Sequence, residues 1–306
     1  MPAVFERVVI LGVGLLGGSL GLALRTRRLV RHVVGIGRNR ERLDQAVRRG
    51  AVSEGRLLDE PWPEEISLLV LATPVEQIGT LLRAYRAKIP TRTLATDVGS
   101  TKSRVVRVCH EVLGPGHRFV GSHPMAGSHR TGVAHADANL FEGRVCVVTP
   151  AAETDPEAAV LVTELWQSVG AKVVQLSPEQ HDRLVARTSH LPHLTAAALC
   201  SLVGRSLNSG IQNLVGSGFR DTTRIAAGEP RLWTEICEHN RDEITAALGE
   251  LIDELGHLRR LLKQGDLSTV ARFLDQARIE RAYLCGEETP ENANPEWQGS
   301  ESSPHN

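Results

Sequence analysis

Of the twelve histidines in the chain, His123 stands in the setting best suited to proton chemistry, Gly121-Ser122-His123-Pro124-Met125-Ala126-Gly127. An imidazole is the one side chain whose unperturbed pKa lies near neutrality, and small neighbours let a substrate and a cofactor come close. The segment Arg118-Phe119-Val120 just before it reads as a strand. Ligands of open α/β sheets bind beyond the carboxyl ends of their strands, so the spacing puts His123 in a strand-end loop as a candidate acid–base residue. Taken alone, it reads rather as a loop histidine that caps a turn. Two more histidines, His190 and His193, stand three apart in Ser189-His190-Leu191-Pro192-His193, hence on one helical face. A metal held there would need a third ligand at matching spacing, and none is supplied, so no metal is expected. Hydrogen bonding to an anionic substrate is the functional reading, and core histidines the plain one. Arg224, in the stretch from Gly216 to Ala226, could grip a carboxylate through paired hydrogen bonds or be neutralised by Asp221 three residues back.

The elements that must position these groups begin with Val8-Val9-Ile10-Leu11, an apolar run of the kind buried on both faces of a parallel sheet. It leads into Gly12-Val13-Gly14-Leu15-Leu16-Gly17-Gly18-Ser19 and then a helical pattern, the strand–turn–helix context of a dinucleotide-binding fingerprint. Gly12 makes the turn, Gly14 admits the pyrophosphate, and Gly17 lets the helix, opening at Leu15 and Leu16, pack close. The amides of that helix start are donors for the phosphates. The second strand, His32 to Ile36, ends at Gly37-Arg38-Asn39-Arg40, where an acidic residue would mark a preference for NAD. Arginine suits a 2′-phosphate, so the cofactor reading is NADP or NAD, leaning to NADP. The alternative is a solvated turn in a chain whose positive charge is mostly arginine.

Further strands read at Ser67 to Ala72, ending in Thr73-Pro74, and at Thr93 to Thr96, ending in Asp97-Val98-Gly99-Ser100-Thr101-Lys102. Thr73, Pro74, Asp97 and Ser100 are thereby placed at strand ends facing the cofactor, with Ser100 also able to cap the helix from Ser103 to Leu113. Strands at Val145 to Val148 and Lys172 to Gln175 flank a helix from Pro156 to Val169. Beyond residue 176 the pattern is helical throughout. Ser177-Pro178-Glu179-Gln180 is a capping-box helix start. A long helix is expected from Pro230 to Lys263, with Ile244, Leu248, Leu251, Leu255, Leu258 and Leu262 as a coiled-coil-like seam facing a second subunit or another helix. One more helix ends near Cys285.

The expected fold is therefore α/β: a Rossmann-type dinucleotide-binding domain over residues 1–176, an all-α substrate and dimerisation domain over 177–285, and a polar tail, 286–306, of disordered composition. The net charge of −1 gives no field for nucleic acid or an anionic membrane. No apolar run is long enough to span a bilayer. Five scattered cysteines without a Cys-x-x-Cys pair read as reduced thiols, so a cytoplasmic protein is expected.

Taken together, these stretches resemble the prephenate/arogenate dehydrogenase family of tyrosine biosynthesis over roughly residues 6 to 283. The likeness rests on the glycine fingerprint, Asp97 to Lys102, Gly121 to Gly127, Ser189 to His193, Gly218 to Ala226, and Trp233. It implies an oxidative decarboxylation in which a cyclohexadienyl substrate, prephenate or arogenate, gives hydride to the nicotinamide and loses its ring carboxylate as carbon dioxide. His123 matches the catalytic histidine that accepts a hydrogen bond from the ring hydroxyl, and Ser100 the serine that orients it. Arg224 matches the arginine that binds a substrate carboxylate, and His193 a second substrate-binding histidine. A homodimer through interlocked helices is implied as well, and the little chain before the fingerprint and after residue 285 leads us to expect a monofunctional form. Many relatives carry a glutamate where this chain has His129. An acidic residue would favour the ammonium of arogenate, so His129 tilts the reading to prephenate. The competing classes are a β-hydroxy-acid dehydrogenase, which generally relies on a lysine in the helical half, where only Lys263 is present, and a dinucleotide-binding redox sensor without turnover. The sensor would leave His123, His193 and Arg224 without a task.

Overall fold

The apolar run near the N-terminus forms β1 (Phe5–Leu11), whose Val8, Val9 and Ile10 are wholly buried. The computed structural model describes residues 5–114, 116–127, 130–205 and 214–287, so His129 and the tail from 288 lie outside the described residues. Strands β2 (Val30–Gly37), β3 (Glu54–Leu57), β4 (Leu68–Leu71), β5 (Leu94–Asp97), β6 (Arg118–Pro124), β7 (Val145–Thr149) and β8 (Lys172–Gln175) join β1 in one sheet, ordered β3-β2-β1-β4-β5-β6-β7-β8. Helices α1 (Leu15–Thr26), α2 (Arg40–Arg48), α3 (Val75–Tyr85), α4 (Ser103–Leu113) and α5 (Pro156–Ser168) connect them. Side chains alternate across a strand, which divides the core in two. Val8, Ile10 and Val70 pack with Leu20 and Trp166 on one face, and Val9, Leu11, Leu69 and Leu71 with Ile78 and Phe119 on the other.

Two strands depart from the expected pattern. β3 has no apolar run because it is an edge, bonded to β2 alone, and charged edges resist pairing with other chains. β6 does not stop at Val120. Its first half pairs in parallel with β5, from Leu94↔Arg118 to Thr96↔Val120. Its second half pairs antiparallel with β7, from Gly121↔Thr149 to Pro124↔Cys146. Once β5 has ended at Asp97, the backbone groups of residues 121–124 need new partners, and β7 supplies them. His123 is therefore a strand residue opposite Val147, not a loop residue, and is held by a ladder on one side.

The helical part opens on α6 (Pro178–Val185), whose capping box forms as expected: Gln180 N–H donates to Ser177 Oγ, and Ser177 N–H to Gln180 Oε1. Between α6 and α7 (Leu191–Arg205), residues Ala186–His190 make one π-helical turn. Pro192 has no N–H to continue the regular ladder there. Then follow α8 (Ser217–Thr223), α9 (Pro230–His239), α10 (Arg241–Gln264) and α11 (Leu267–Leu284). The single helix expected from Pro230 to Lys263 is thus broken at Asn240, which leaves helical geometry (φ −122°, ψ 34°). The buried Asn240 amide bonds to the Asp182 carbonyl and His190.

The chain packs as two compact units, one up to Thr245 and one from Ala246 onward. In the second, Asp266 caps α11 by accepting from Thr269 N–H. There Ile252, Leu255, Leu262, Leu267 and Leu274 are all more than half exposed. No helix among the described residues is long and apolar enough to cross a membrane.

Candidate active site

The turn from β1 to α1 is shaped by what glycine leaves out. Gly12 has φ +97°, and a Cβ there would lie 2.7 Å from the Ala72 carbonyl oxygen. A Cβ on Gly17 would lie 2.3 Å from Gly12 O. Gly14, by contrast, faces open space, with nothing within 4 Å of its would-be Cβ. No acidic residue occupies the first turn of α1 at Leu15 and Leu16, so its free amides and positive dipole end remain available to an anion. Across the turn, the Thr73 hydroxyl is buried without a partner, and Pro74 directly precedes α3. A cradle of open backbone and an orphaned hydroxyl fits the pyrophosphate of a dinucleotide. At the end of β2, Arg40 pairs with Glu60 and donates to Gly55 O (3.0 Å). Arg38 is exposed and has no bonded partner among the described residues.

Asp97 is placed differently from its expected cofactor-facing role. It is fully buried, and its carboxylate accepts from Gly99 N–H (2.8 Å), Ser122 N–H (3.1 Å) and the ammonium of Lys102. Lys102, also fully buried, donates in addition to Ser122 O (2.8 Å). A buried pair survives only where such further bonds satisfy both charges. The pair ties β5 to the residue before His123, so Asp97 holds the frame of the site.

His123 projects from β6 into a cluster of histidines. Its Nδ1 is 2.8 Å from Nε2 of His181, and Nδ1 of His181 is 2.8 Å from Oδ1 of Asp182. Asp182 also accepts from the backbone N–H groups of Lys102 (2.7 Å) and Ser103 (2.8 Å). The cap of α4 therefore comes from Asp182 and not, as the sequence suggested, from Ser100. Nor does Ser100 bond to His123 among the described residues; the group that holds the imidazole is His181. Burial raises the free energy of an ionised Asp182, but the bonds from His181 and the two amides outweigh it and hold its pKa below the ordinary carboxylate value. Burial, reinforced by nearby His181, Lys102 and His190, pushes His123 well below the usual imidazole value. Burial takes His190 down to about 4 and lowers His181 too. All three are neutral at physiological pH. With Nδ1 engaged, the free nitrogen of His123 is Nε2, able to serve a substrate hydroxyl.

His190 and His193 do share one side of the site, and Trp233 joins them. His193 stacks on Trp233 (ring centroids 3.4 Å apart, 9° between planes), while His190 meets it edge-on at 6.2 Å. The His193 Nδ1 is buried without a partner. Burial lowers the His193 pKa, opposed by a hydrogen bond to the backbone of Ile225. That bond brings Arg224, the preceding residue, to the same place, exposed and without a pair to Asp221. Among the described residues, no group of three or more His, Cys, Asp or Glu could hold a metal ion.

His181, Asp182 and Asn240 are the members of the site that motif reading missed. One signal was available. Pro178, His181, Asp182 and Val185 form the buried stripe of α6, so two polar residues occupy core positions there, and buried polar groups must have partners.

Comparison with known proteins places the chain. The family model for the nucleotide-binding domain of prephenate dehydrogenase matches residues 20–175, and that for its dimerization domain matches residues 177–276. The prephenate dehydrogenase of Bacillus subtilis is 35% identical over 282 residues, covering 91% of this chain and 76% of that protein. Among solved structures, the prephenate dehydrogenase of A. aeolicus, in complex with hydroxyphenyl propionate and NAD+, superposes with a TM-score of 0.85 at 30% identity, covering 92% of this chain and 99% of that one. The arogenate dehydrogenase of Synechocystis gives 0.81 at 30% identity, covering 90% and 99%.

Proposed function

The chain belongs to the prephenate dehydrogenase family, and we propose that it oxidatively decarboxylates prephenate to 4-hydroxyphenylpyruvate, with NADP as the favoured cofactor. The observation that carries this reading is the neutral His123, bonded through Nδ1 to His181 and presenting its other nitrogen at the carboxyl edge of the sheet. His123 Nε2 accepts a hydrogen bond from the ring hydroxyl and so pushes electron density onto its oxygen, which stabilises the carbon that bears it as hydride leaves. The bond from the ring to its carboxylate then breaks, carbon dioxide departs, and the electron pair completes the aromatic ring. Bound NAD(P) supplies the hydride acceptor. Arg224 holds a substrate carboxylate, His193 and His190 are further substrate-binding groups, and Ser100 stands at the strand end that faces the nicotinamide. Gly12, Gly14 and Gly17, with Leu15, Leu16, Thr73 and Pro74, cradle the dinucleotide.

Arg38 supports the preference for NADP. It is exposed and unpaired at the end of β2, where Gly37 leaves no acidic group to repel a 2′-phosphate. His129 supports prephenate over arogenate, because it offers no negative charge to an ammonium. The reading divides the chain after residue 176, assigns 177–285 to substrate binding and dimerisation, and makes the apolar seam exposed on α10 and α11 the contact with a second copy. It is a cytoplasmic activity. The test is formation of reduced nicotinamide by the purified protein, crossing prephenate and arogenate with NAD and NADP. Turnover highest with prephenate and NADP is expected. A preference for arogenate or NAD would overturn the reading of His129 or Arg38, and no turnover in any combination would overturn the reaction itself.

A further inference from the structure

Hydrogen atoms in the histidine cluster can be placed by elimination, starting from groups that have no choice. The Asp182 carboxylate accepts two backbone amides and is ionised, so it offers only acceptors. His181 Nδ1, 2.8 Å from Oδ1, must therefore carry a hydrogen. His181 is neutral, which leaves its Nε2 bare, and His123 Nδ1, 2.8 Å away, must be the donor to it. A neutral His123 then has no hydrogen on Nε2. A second branch leaves the same residue. The Asp182 backbone carbonyl, also an acceptor only, takes one hydrogen of Asn240 Nδ2 at 2.8 Å. That fixes the orientation of the amide, whose second hydrogen points to His190 Nδ1 at 3.2 Å. His190 is thus an acceptor at Nδ1 and carries its hydrogen on Nε2.

We propose that Asp182 is a positioning residue that sets the tautomers of both site histidines, through His181 and through Asn240. It leaves Nε2 of His123 an acceptor and Nε2 of His190 a donor. The inference rests on the reading that His123 Nε2 serves the ring hydroxyl, and it adds that one carboxylate, anchored on the first turn of α4, decides which way that nitrogen works. The same carboxylate caps α4, so the proton order is fixed to the helix that follows β5.

The substitution that isolates this role is Asp182→Asn. The asparagine oxygen keeps the bond from Ser103 N–H, while the amide nitrogen takes the place of Oδ1, gives up the bond from Lys102 N–H and donates into His181 Nδ1, which reverses the chain and puts a hydrogen on His123 Nε2. Histidine-selective nitrogen-15 NMR of the whole protein reads the tautomers directly, without turnover. In the wild type, His123 is expected to be bare at Nε2 and His190 protonated there; in Asp182→Asn, His123 is expected to be protonated at Nε2. Turnover should fall by about 10²–10⁴-fold, the range lost with a general base, with KM and cofactor affinity moving far less. A merely structural role would not move the tautomer signal. Should Asp182→Asn fail to fold, the wild-type spectrum decides. A hydrogen on His123 Nε2 in the wild type overturns the proposal, as does an Asp182→Asn protein that keeps its turnover. A wild type showing the expected tautomers but no oxidation of prephenate or arogenate would overturn the proposed reaction and leave the proton order standing.

Discussion

Between Gly12 and Gly17 the chain removes side chains so that bare backbone can meet a ligand, whereas around His123 it buries polar side chains that bond to one another. The first device is local. Six consecutive residues supply the turn, the opening and the close helix contact. The second is assembled from β6, α6, the π-helical turn and the break before α10, with His123 and His181 58 positions apart and His190 and Asn240 50 apart. The difference shows how each region fails. A cradle fails by acquiring atoms, and a polar cluster fails by losing or misplacing a hydrogen.

Substitutions that add atoms sharpen the first half of this contrast. In Gly17→Ala the new methyl would fall 2.3 Å from Gly12 O, which is backbone and cannot swing aside. Overpacking of this kind costs on the order of 3 kcal/mol, so a clear drop in thermal midpoint is expected, and an unchanged midpoint would show that the helix does not need the close approach. Gly14→Ala adds the same methyl to open space. The thermal midpoint of the free protein should be unmoved while the Kd for NADP weakens by roughly tenfold, about 1.4 kcal/mol, measurable by fluorescence titration. Equal losses of stability in both variants would erase the distinction between a packed and a ligand-facing glycine.

The polar cluster is probed by protons. His123, His181 and His190 all have folded pKa values below the imidazole reference of 6.5, with His190 near 4. Between those values and 6.5 the unfolded chain binds more protons than the folded one, so stability rises with pH through this window and is lost as pH falls below about 6.5. Thermal melts should be flat above pH 7 and decline from 6.5 towards 5, before ordinary carboxylates titrate. A flat profile down to pH 5 would mean that these histidines are not held neutral by burial.

The same contrast explains what was legible in the sequence. The cradle, most of the sheet and the capping box at Ser177 were readable because each depends on neighbours within a few residues. β3 was invisible because an edge strand needs no apolar run. The continuation of β6 through His123 was hidden because its partner, β7, lies more than twenty residues away. Asp97 read as a cofactor residue by its strand-end position, yet the Lys102 beside it claims its charge. The break at Asn240 follows from partners on α6 and the π-helical turn, which no local pattern announces.

The most direct test of the account separates binding from chemistry in His123→Ala. Cofactor affinity, read by fluorescence of the bound reduced nicotinamide, should stay within about twofold of wild type, because the cradle is built elsewhere. Turnover of prephenate should fall by about 10²–10⁴-fold. Near-normal turnover in that variant would contradict the mechanism at its centre.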